Sequence, residues 1–319
     1  MNDIVRLINE ANKIAILTHI SEDADAVGTA SALSEALSDL GKHADIYISE
    51  PLEDRLAFMN VCAHVYDGAA EEYDLCICVD CADLKRLGDR IGIFNSAKHT
   101  VSIDHHMTND GYAEANLVNG DASAAAEVLY GLLRHMNITI TPKIAFYLYT
   151  AIASDSGCFK YSSVSPSTMR IAADLLEEEI DNAYICRMLF DTEKKEVMQL
   201  EGYLMQNIEE YAGGKICVVS LSAETANKFG VEEKNTGDIV NIPRRSEGCE
   251  IAVSVREAKG KIKISLRSNG ICDVAKTATC FGGGGHKRAA GITLENIGLE
   301  EAKRRIAEAC IKEIEENNL

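Results

Sequence analysis

Four times between Ile14 and Asp155 a strand-like or apolar run is followed, directly or after one residue, by carboxylate or imidazole. The groups are His19-x-x-x-Asp23-x-Asp25 after residues 14–17, Asp80 after 75–79, Asp104-His105-His106 after 99–103, and Asp155 after the apolar stretch that ends at Ala153. This constrains the fold strongly, because an ionised carboxylate at the end of a buried run is costly unless it is paired or bound to metal. Any acceptable fold must bring several of these ends together.

The spacing between them shows how. Strand-like runs at 14–17, 44–48, 75–79 and 99–103 alternate with helix-period segments at 26–40 and 52–59, followed by helices near 122–136, 142–153 and 167–178. Such alternation predicts a parallel sheet with covering helices. In open sheets of that kind ligands collect beyond the carboxyl ends of the strands, where His19, Asp80 and Asp104 fall. From 187 to 213 a polar, helix-prone segment closed by Gly213-Gly214 reads as a linker helix. Period-2 strands follow at 215–220, 250–255 and 261–267, then glycines 282–285, a short strand at 290–294 and a closing helix from 299 to about 315. The expected fold class is α/β, with a parallel-sheet catalytic domain and flanking helices over 1–186, a linker helix over 187–213, and a smaller α/β substrate-binding domain over 214–319.

Length and charge narrow the function. A chain of 319 residues, 46% hydrophobic, exceeds the usual size of one core. Asp and Glu outnumber Lys and Arg by 50 to 32, a net charge of −18, which argues against nonspecific binding to long nucleic acid or to an anionic membrane. An anionic substrate must then meet local positive charge. No stretch approaches about eighteen uninterrupted apolar residues, and Met1-Asn2-Asp3-Ile4 carries neither a basic flank nor a signal-type apolar block. A soluble, cytoplasmic protein is expected. Eleven scattered cysteines suit a reducing compartment. Cys78-x-x-Cys81 has no second CxxC to complete a zinc site, and its surroundings read as a buried strand in which cysteine acts as a small hydrophobe.

One imidazole with several carboxylates suits a hard or borderline divalent cation such as manganese. A loop leaving a strand end can aim His19 and Asp23 at one ion and Asp25 at its neighbour, although either acid could instead cap the helix that follows. Asp80 fits a ligand bridging two ions. Adjacent His105 and His106 point in different directions, so one can ligate while the next faces substrate, and Asp155 supplies the last carboxylate. Asp104 is cast as the residue that fixes the orientation of an imidazole.

These residues carry a resemblance. LTHISEDADAVG, CVDCAD, SIDHHMTN and AIASDSGCF resemble motifs I to IV of the DHH phosphoesterase superfamily, and SLRSNG with FGGGGHKRAAG resembles its DHH-associated carboxyl-terminal domain. The similarity is greatest to the oligoribonuclease and 3′-phosphoadenosine 5′-phosphate phosphatase branch. It implies that His19, Asp23 and Asp80 hold one manganese ion, that Asp25, Asp80, His105 and Asp155 hold the other, and that His106 faces the scissile phosphate. Glu22, where the family often has proline, and Ser156, where it often has threonine, depart from the pattern without removing a ligand.

The second half supplies the positive charge. From Arg256 to Arg288 eight Lys or Arg (256, 259, 261, 263, 267, 276, 287, 288) face two acids (257, 273), a local charge of +6. Gly282, Gly283, Gly284 and Gly285 let backbone amides approach a phosphate, with His286 and Lys287 directly after them. Arg267, beside Ser268, is placed for a bidentate contact to a second phosphate. Lys261 and Lys263 read as a solvated strand face. Tyr112 and Tyr161 could stack on a base, but core or rim packing is the simpler reading of each.

The resulting expectation is a hydrolase with two divalent ions that cleaves short oligoribonucleotides to mononucleotides and dephosphorylates 3′-phosphoadenosine 5′-phosphate, by attack of a water the ions activate. Its partners are short RNA or small nucleotide phosphates, with no long duplex and no membrane; a homodimer is left open. Hydrolysis of cyclic or linear dinucleotides is the alternative within the same chemistry, and a nucleotide-sensing module without catalysis is the alternative outside it.

Overall fold

The computed structural model describes residues 1–68 and 72–318. The chain divides into two compact units, Met1–Thr192 and Glu193–Leu319.

In the first unit, six strands form an all-parallel sheet: β1 (Lys13–Leu17), β2 (His43–Ile48), β3 (His64–Val65), β4 (Leu75–Val79), β5 (His99–Asp104) and β6 (Ala115–Val118). Their order is β3-β2-β1-β4-β5-β6, so the direction of winding reverses between β1 and β4, the switch point at which such sheets leave a crevice. The central strand β4 is apolar throughout and all five of its residues are buried, as helices covering both faces require. Each such aliphatic side chain removed from water contributes about 1.5–3 kcal/mol. The helix Ala24–Asp39 packs closely against the helix Pro142–Asp155. A Cβ at Gly28 would lie 2.8 Å from the Tyr147 carbonyl, so glycine sets that approach.

The second unit carries a mixed sheet ordered β11-β12-β10-β9-β8-β7. Its strands are β7 (Glu209–Tyr211), β8 (Ile216–Leu221), β9 (Ile251–Ala258), β10 (Lys261–Ser268), β11 (Gly284–His286) and β12 (Ala289–Leu294). The β8–β9 pair is parallel and the rest are antiparallel. Along β10 exposed or half-buried residues alternate with buried ones, as a half-covered strand requires. The helix Leu299–Glu316 buries Ala302, Ile306, Cys310 and Ile314 in the same core as Ile216, Ile251 and Val253.

Two expected elements differ. The stretch read as one linker helix over 187–213 is divided into a π-type turn Arg187–Asp191, the helix Lys195–Gln206 and the strand β7. Ile208 and Tyr211 have apolar neighbours to cover them, and those contacts override the local helical preference. The segment expected as a helix over 52–59 is a 3-10 helix at Asp54–Met59, which places Leu56 and Met59 in the core.

Candidate metal centre

The ends of β1, β4 and β5 lie in register: Leu17 pairs with Cys78, and Val79 with Ile103. The residues just beyond therefore meet at the switch point. His19 Nε2 lies 3.4 Å from Asp80 Oδ2 and 3.6 Å from Asp23 Oδ2. His105 Nε2 lies 3.4 Å from Asp80 Oδ1, 3.5 Å from Asp155 Oδ2 and 3.9 Å from Asp25 Oδ2. Asp80 thus turns one oxygen to each imidazole, and it does so from a left-handed backbone, φ 53°, that a non-glycine residue adopts at a cost. Three groups with metal-ligating geometry follow: His19–Asp23–Asp80, Asp25–His105–Asp155 and Asp80–His105–His106.

Four of the ligand candidates are held from behind. His19 Nδ1 lies 2.7 Å from the Ile20 carbonyl and His105 Nδ1 3.3 Å from that of Ala122, so both present Nε2 to the cluster. Asp23 is also the N-cap of the helix Ala24–Asp39, accepting from the Asp25 and Ala26 amides at 3.1 Å each. Asp25 accepts from the amides of Ala125 (2.7 Å) and Ala126 (3.2 Å), at the start of the helix Ala125–His135, and from the Thr29 hydroxyl. The expected capping of the following helix thus falls to Asp23 alone, which is a ligand candidate as well, while Asp25 lies within that helix and serves a different one. Asp155 ends its helix, where the dipole disfavours an acid.

The electrostatics show what the cluster lacks. Burial, with Asp80 and Asp155 close by, raises the Asp25 carboxyl well above its usual range, and burial with Asp80 and Asp23 takes Asp155 to about 6. Burial alone would lower the imidazoles, but hydrogen bonds donated to Asp23 and Asp80 take His19 to about 10, and Asp80, Asp25 and Asp155 take His105 to about 10. Asp80 Oδ1 is buried without a hydrogen-bond partner. An orphaned carboxylate oxygen among mutually repelling acids and protonated imidazoles fits divalent cations well.

Beside this cluster, His106 Nδ1 lies 2.8 Å from Asp104 Oδ1. That oxygen also accepts from the amides of His105 (2.8 Å) and His106 (3.3 Å), while Asp104 Oδ2 accepts from Asn109 Nδ2 at 2.7 Å. Burial would raise the Asp104 carboxyl, yet the bonds from His106 and Asn109 hold it below its usual range.

The DHH family, N-terminal domain, matches residues 13–152, and the DHHA1 domain matches residues 213–316. The chain belongs to the DHH family of phosphoesterases. This DHH chain is similar to the bifunctional oligoribonuclease and PAP phosphatase NrnA of Thermus thermophilus, with 28% identity over 97% of this chain and 94% of that one. The protein of the same name from Bacillus subtilis is 26% identical, covering 96% of each chain. Among solved structures, an exopolyphosphatase-related protein from Bacteroides fragilis superposes with a TM-score of 0.90 at 27% identity, over 98% of this chain and 95% of that one.

In the DHHA1 domain the antiparallel pairing sets Arg267 opposite Ala289, and the Ser268 amide donates to the Arg288 carbonyl at 3.0 Å. Arg267 and Ser268 therefore lie beside the turn that carries Lys287. His286, Lys287 and Arg288 are exposed. The glycines have a structural duty of their own: a Cβ at Gly283 would strike the Gly291 carbonyl, and one at Gly285 that of Ala289, so β11 closes on β12 only with glycine there. Arg267 Nη1 donates to the Leu266 carbonyl at 3.0 Å. Lys261 pairs with Glu295 and Lys263 with Glu233, as a solvated face would.

The other sequence readings resolve simply. Cys76, Cys78 and Cys81 are fully buried, and burial pushes the Cys78 and Cys81 thiols up, away from the thiolate zinc needs. Tyr112 donates to the Cys81 carbonyl at 2.9 Å and packs edge-on against Phe94, a core role. Tyr161 is 52% exposed and its ring lies over Gly157. Sequence reasoning passed over Asn109, although it ends the quoted SIDHHMTN string. It also missed the buried pair Glu22–Arg90 (2.9 Å). Among the described residues no helix is long and apolar enough to cross a membrane.

Proposed function

We propose that this DHH phosphoesterase hydrolyses short oligoribonucleotides to mononucleotides and removes a phosphate from 3′-phosphoadenosine 5′-phosphate, with two divalent cations, manganese first among them. The observation that carries the chemistry is Asp80, whose two carboxylate oxygens face two separate ligand groups. The relatives' printed names, at nearly full length, support the substrate class. His19, Asp23 and Asp80 would hold one ion, and Asp25, Asp80, His105 and Asp155 the other.

When bound, the ions would polarise a water molecule for in-line attack and offset the charge on the phosphoryl oxygens. The chain's own residues do the rest. Backbone carbonyls fix the tautomers of His19 and His105 so that neutral Nε2 faces inward. Asp104, itself held by Asn109, holds the His106 ring, which is only partly buried and so can reach a substrate phosphate from the solvent side. Arg267, Ser268, glycines 282–285, His286 and Lys287 are assigned the recognition of remote phosphates by charge and by exposed backbone amides.

The test is release of mononucleotide from RNA of two to five residues with manganese, run beside 3′-phosphoadenosine 5′-phosphate and a cyclic dinucleotide, with D80A as the blank. Turnover of the RNA and the bisphosphate is expected. Turnover of the cyclic compound alone would move the protein to signalling dinucleotides, and tight binding without turnover would make it a sensor.

A further inference from the structure

Glu22 immediately precedes Asp23 on the loop that also carries His19, yet its side chain turns away from the cluster and is buried. Oε1 accepts from the Ser49 amide at 2.6 Å and from Arg90 Nη1 at 2.9 Å; Oε2 accepts from the Ser49 hydroxyl at 2.9 Å. Arg90, 1% exposed, also donates from Nη1 to Thr18 Oγ1 (3.1 Å) and the Tyr47 carbonyl (2.8 Å), and from Nε to the Leu87 carbonyl (3.2 Å). The Ile20 amide donates to the Arg86 carbonyl at 2.7 Å. The chain reverses at Ser21 through a left-handed backbone, φ 59°. The loop is thus fastened both to the end of β2 and to the turn at 84–90, around a single buried ion pair.

A buried ion pair seldom adds stability over apolar residues of the same size, because desolvation offsets the attraction; its best-attested use is to fix one geometry among several. The geometry at stake is that of His19 and Asp23. Asp25 and His105 are held by other partners, the Ala125 and Ala126 amides and the Ala122 carbonyl, and among the described residues neither they nor Asp155 bonds to Glu22 or Arg90.

We infer that Glu22 and Arg90 are positioning residues that set the cation affinity of the His19–Asp23–Asp80 half of the cluster, independently of the Asp25–His105–Asp155 half. This rests on the two-ion reading above. The experiment is calorimetric titration of the metal-free full chain with manganese, for wild type, Glu22→Gln, Arg90→Lys and Ser49→Ala, with thermal unfolding as the control for folding. In Glu22→Gln and Arg90→Lys one of two binding steps should weaken about 10–100-fold, the range for partners behind a ligand, with the other step unchanged. The turnover lost at low manganese should return at saturating manganese with KM for substrate unaltered. Ser49→Ala keeps the ion pair and should shift the same step less. Unchanged isotherms, or both steps weakened together, in any variant that folds would overturn the inference. If Glu22→Gln does not fold, an unshifted step in Ser49→Ala and Arg90→Lys overturns it instead. A wild type with fewer than two steps overturns the two-ion reading itself, and the inference falls with it.

Discussion

The two candidate sites are built by opposite means. In the first unit His19, His105, Asp23 and Asp25 are each anchored twice, once toward the cluster and once to a carbonyl or a helix start, and His19, Asp25 and Asp80 are buried. In the second unit His286, Lys287 and Arg288 stand exposed on a turn whose glycines serve strand closure. Chemistry on phosphorus needs atoms fixed to a fraction of an ångström. Gripping phosphates on substrates of several lengths needs charge and exposed amides more than it needs rigidity. The contrast predicts that changes in the first region act on turnover and metal content, and that changes in the second act on KM.

The largest effect should come from Asp80→Asn. Turnover should fall by more than about 100-fold, beyond what a partner behind a ligand costs, and metal content measured by atomic emission should fall with it. Unchanged metal content would break the bridging assignment. His106→Ala should cost about 10²–10⁴ in kcat, the range for a group acting on the reacting centre, with metal content nearly intact; Asp104→Asn should follow at about 10–100-fold by loosening the ring. In the second region Arg267→Ala should raise KM about tenfold, as loss of a charged hydrogen bond to phosphate would, with single-turnover chemistry little changed. An unaltered KM would remove Arg267 from recognition and weaken the contrast itself.

A smaller effect separates protons from cations. In the metal-free chain His19 and His105 keep their protons up to about 10, above the ordinary value near 6.5. Their ion pairs therefore stabilise fully below about 6.5 and fade as pH rises towards about 10. Cations displace those protons, so the rise in Tm on adding manganese should widen from about pH 6.5 to 9. A gain that stays flat would show that the imidazoles do not compete for the site. The smallest expected change is Lys261→Ala: Lys261 forms an exposed pair with Glu295 on the solvated face, and both KM and Tm should stay at wild-type values.

Much of this was legible because the polar residues interrupt apolar runs. Asp80 after 75–79 stands out on any hydropathy reading, Asp104 stands out by the paired histidines that follow it, and parallel-sheet topology brings such strand ends together. Short elements left no period to read: β3 has two residues, β6 four half-buried or exposed ones, and the helix Val274–Thr279 only six. The Glu22–Arg90 pair spans 68 positions, and a fully buried arginine runs against the usual placement of that residue. Glu22 showed in sequence only as a departure from a familiar motif. The double duty of Asp23, cap and ligand candidate, was visible as a choice between two readings, whereas one carboxylate serves both, Oδ1 as cap and Oδ2 toward His19; Asp25 does not cap the helix that follows it, as the other reading allowed, but the start of one 100 positions on.

Such double duty shapes how the protein would fare in a deep mutational scan. Asp25 closes the start of the helix Ala125–His135, whose N-cap Ala124 has no side-chain hydrogen-bonding group. Most replacements at Asp25 should therefore lower the abundance of folded protein in the cell as well as its activity, and would be scored as destabilising. Replacements at His106, partly exposed and bonded to its own loop, should leave abundance untouched and be scored as purely inactivating. Two residues of the candidate site would be sorted into different classes of variant, and an inactive but well-folded decoy for trapping substrate is better made at His106 than at Asp25.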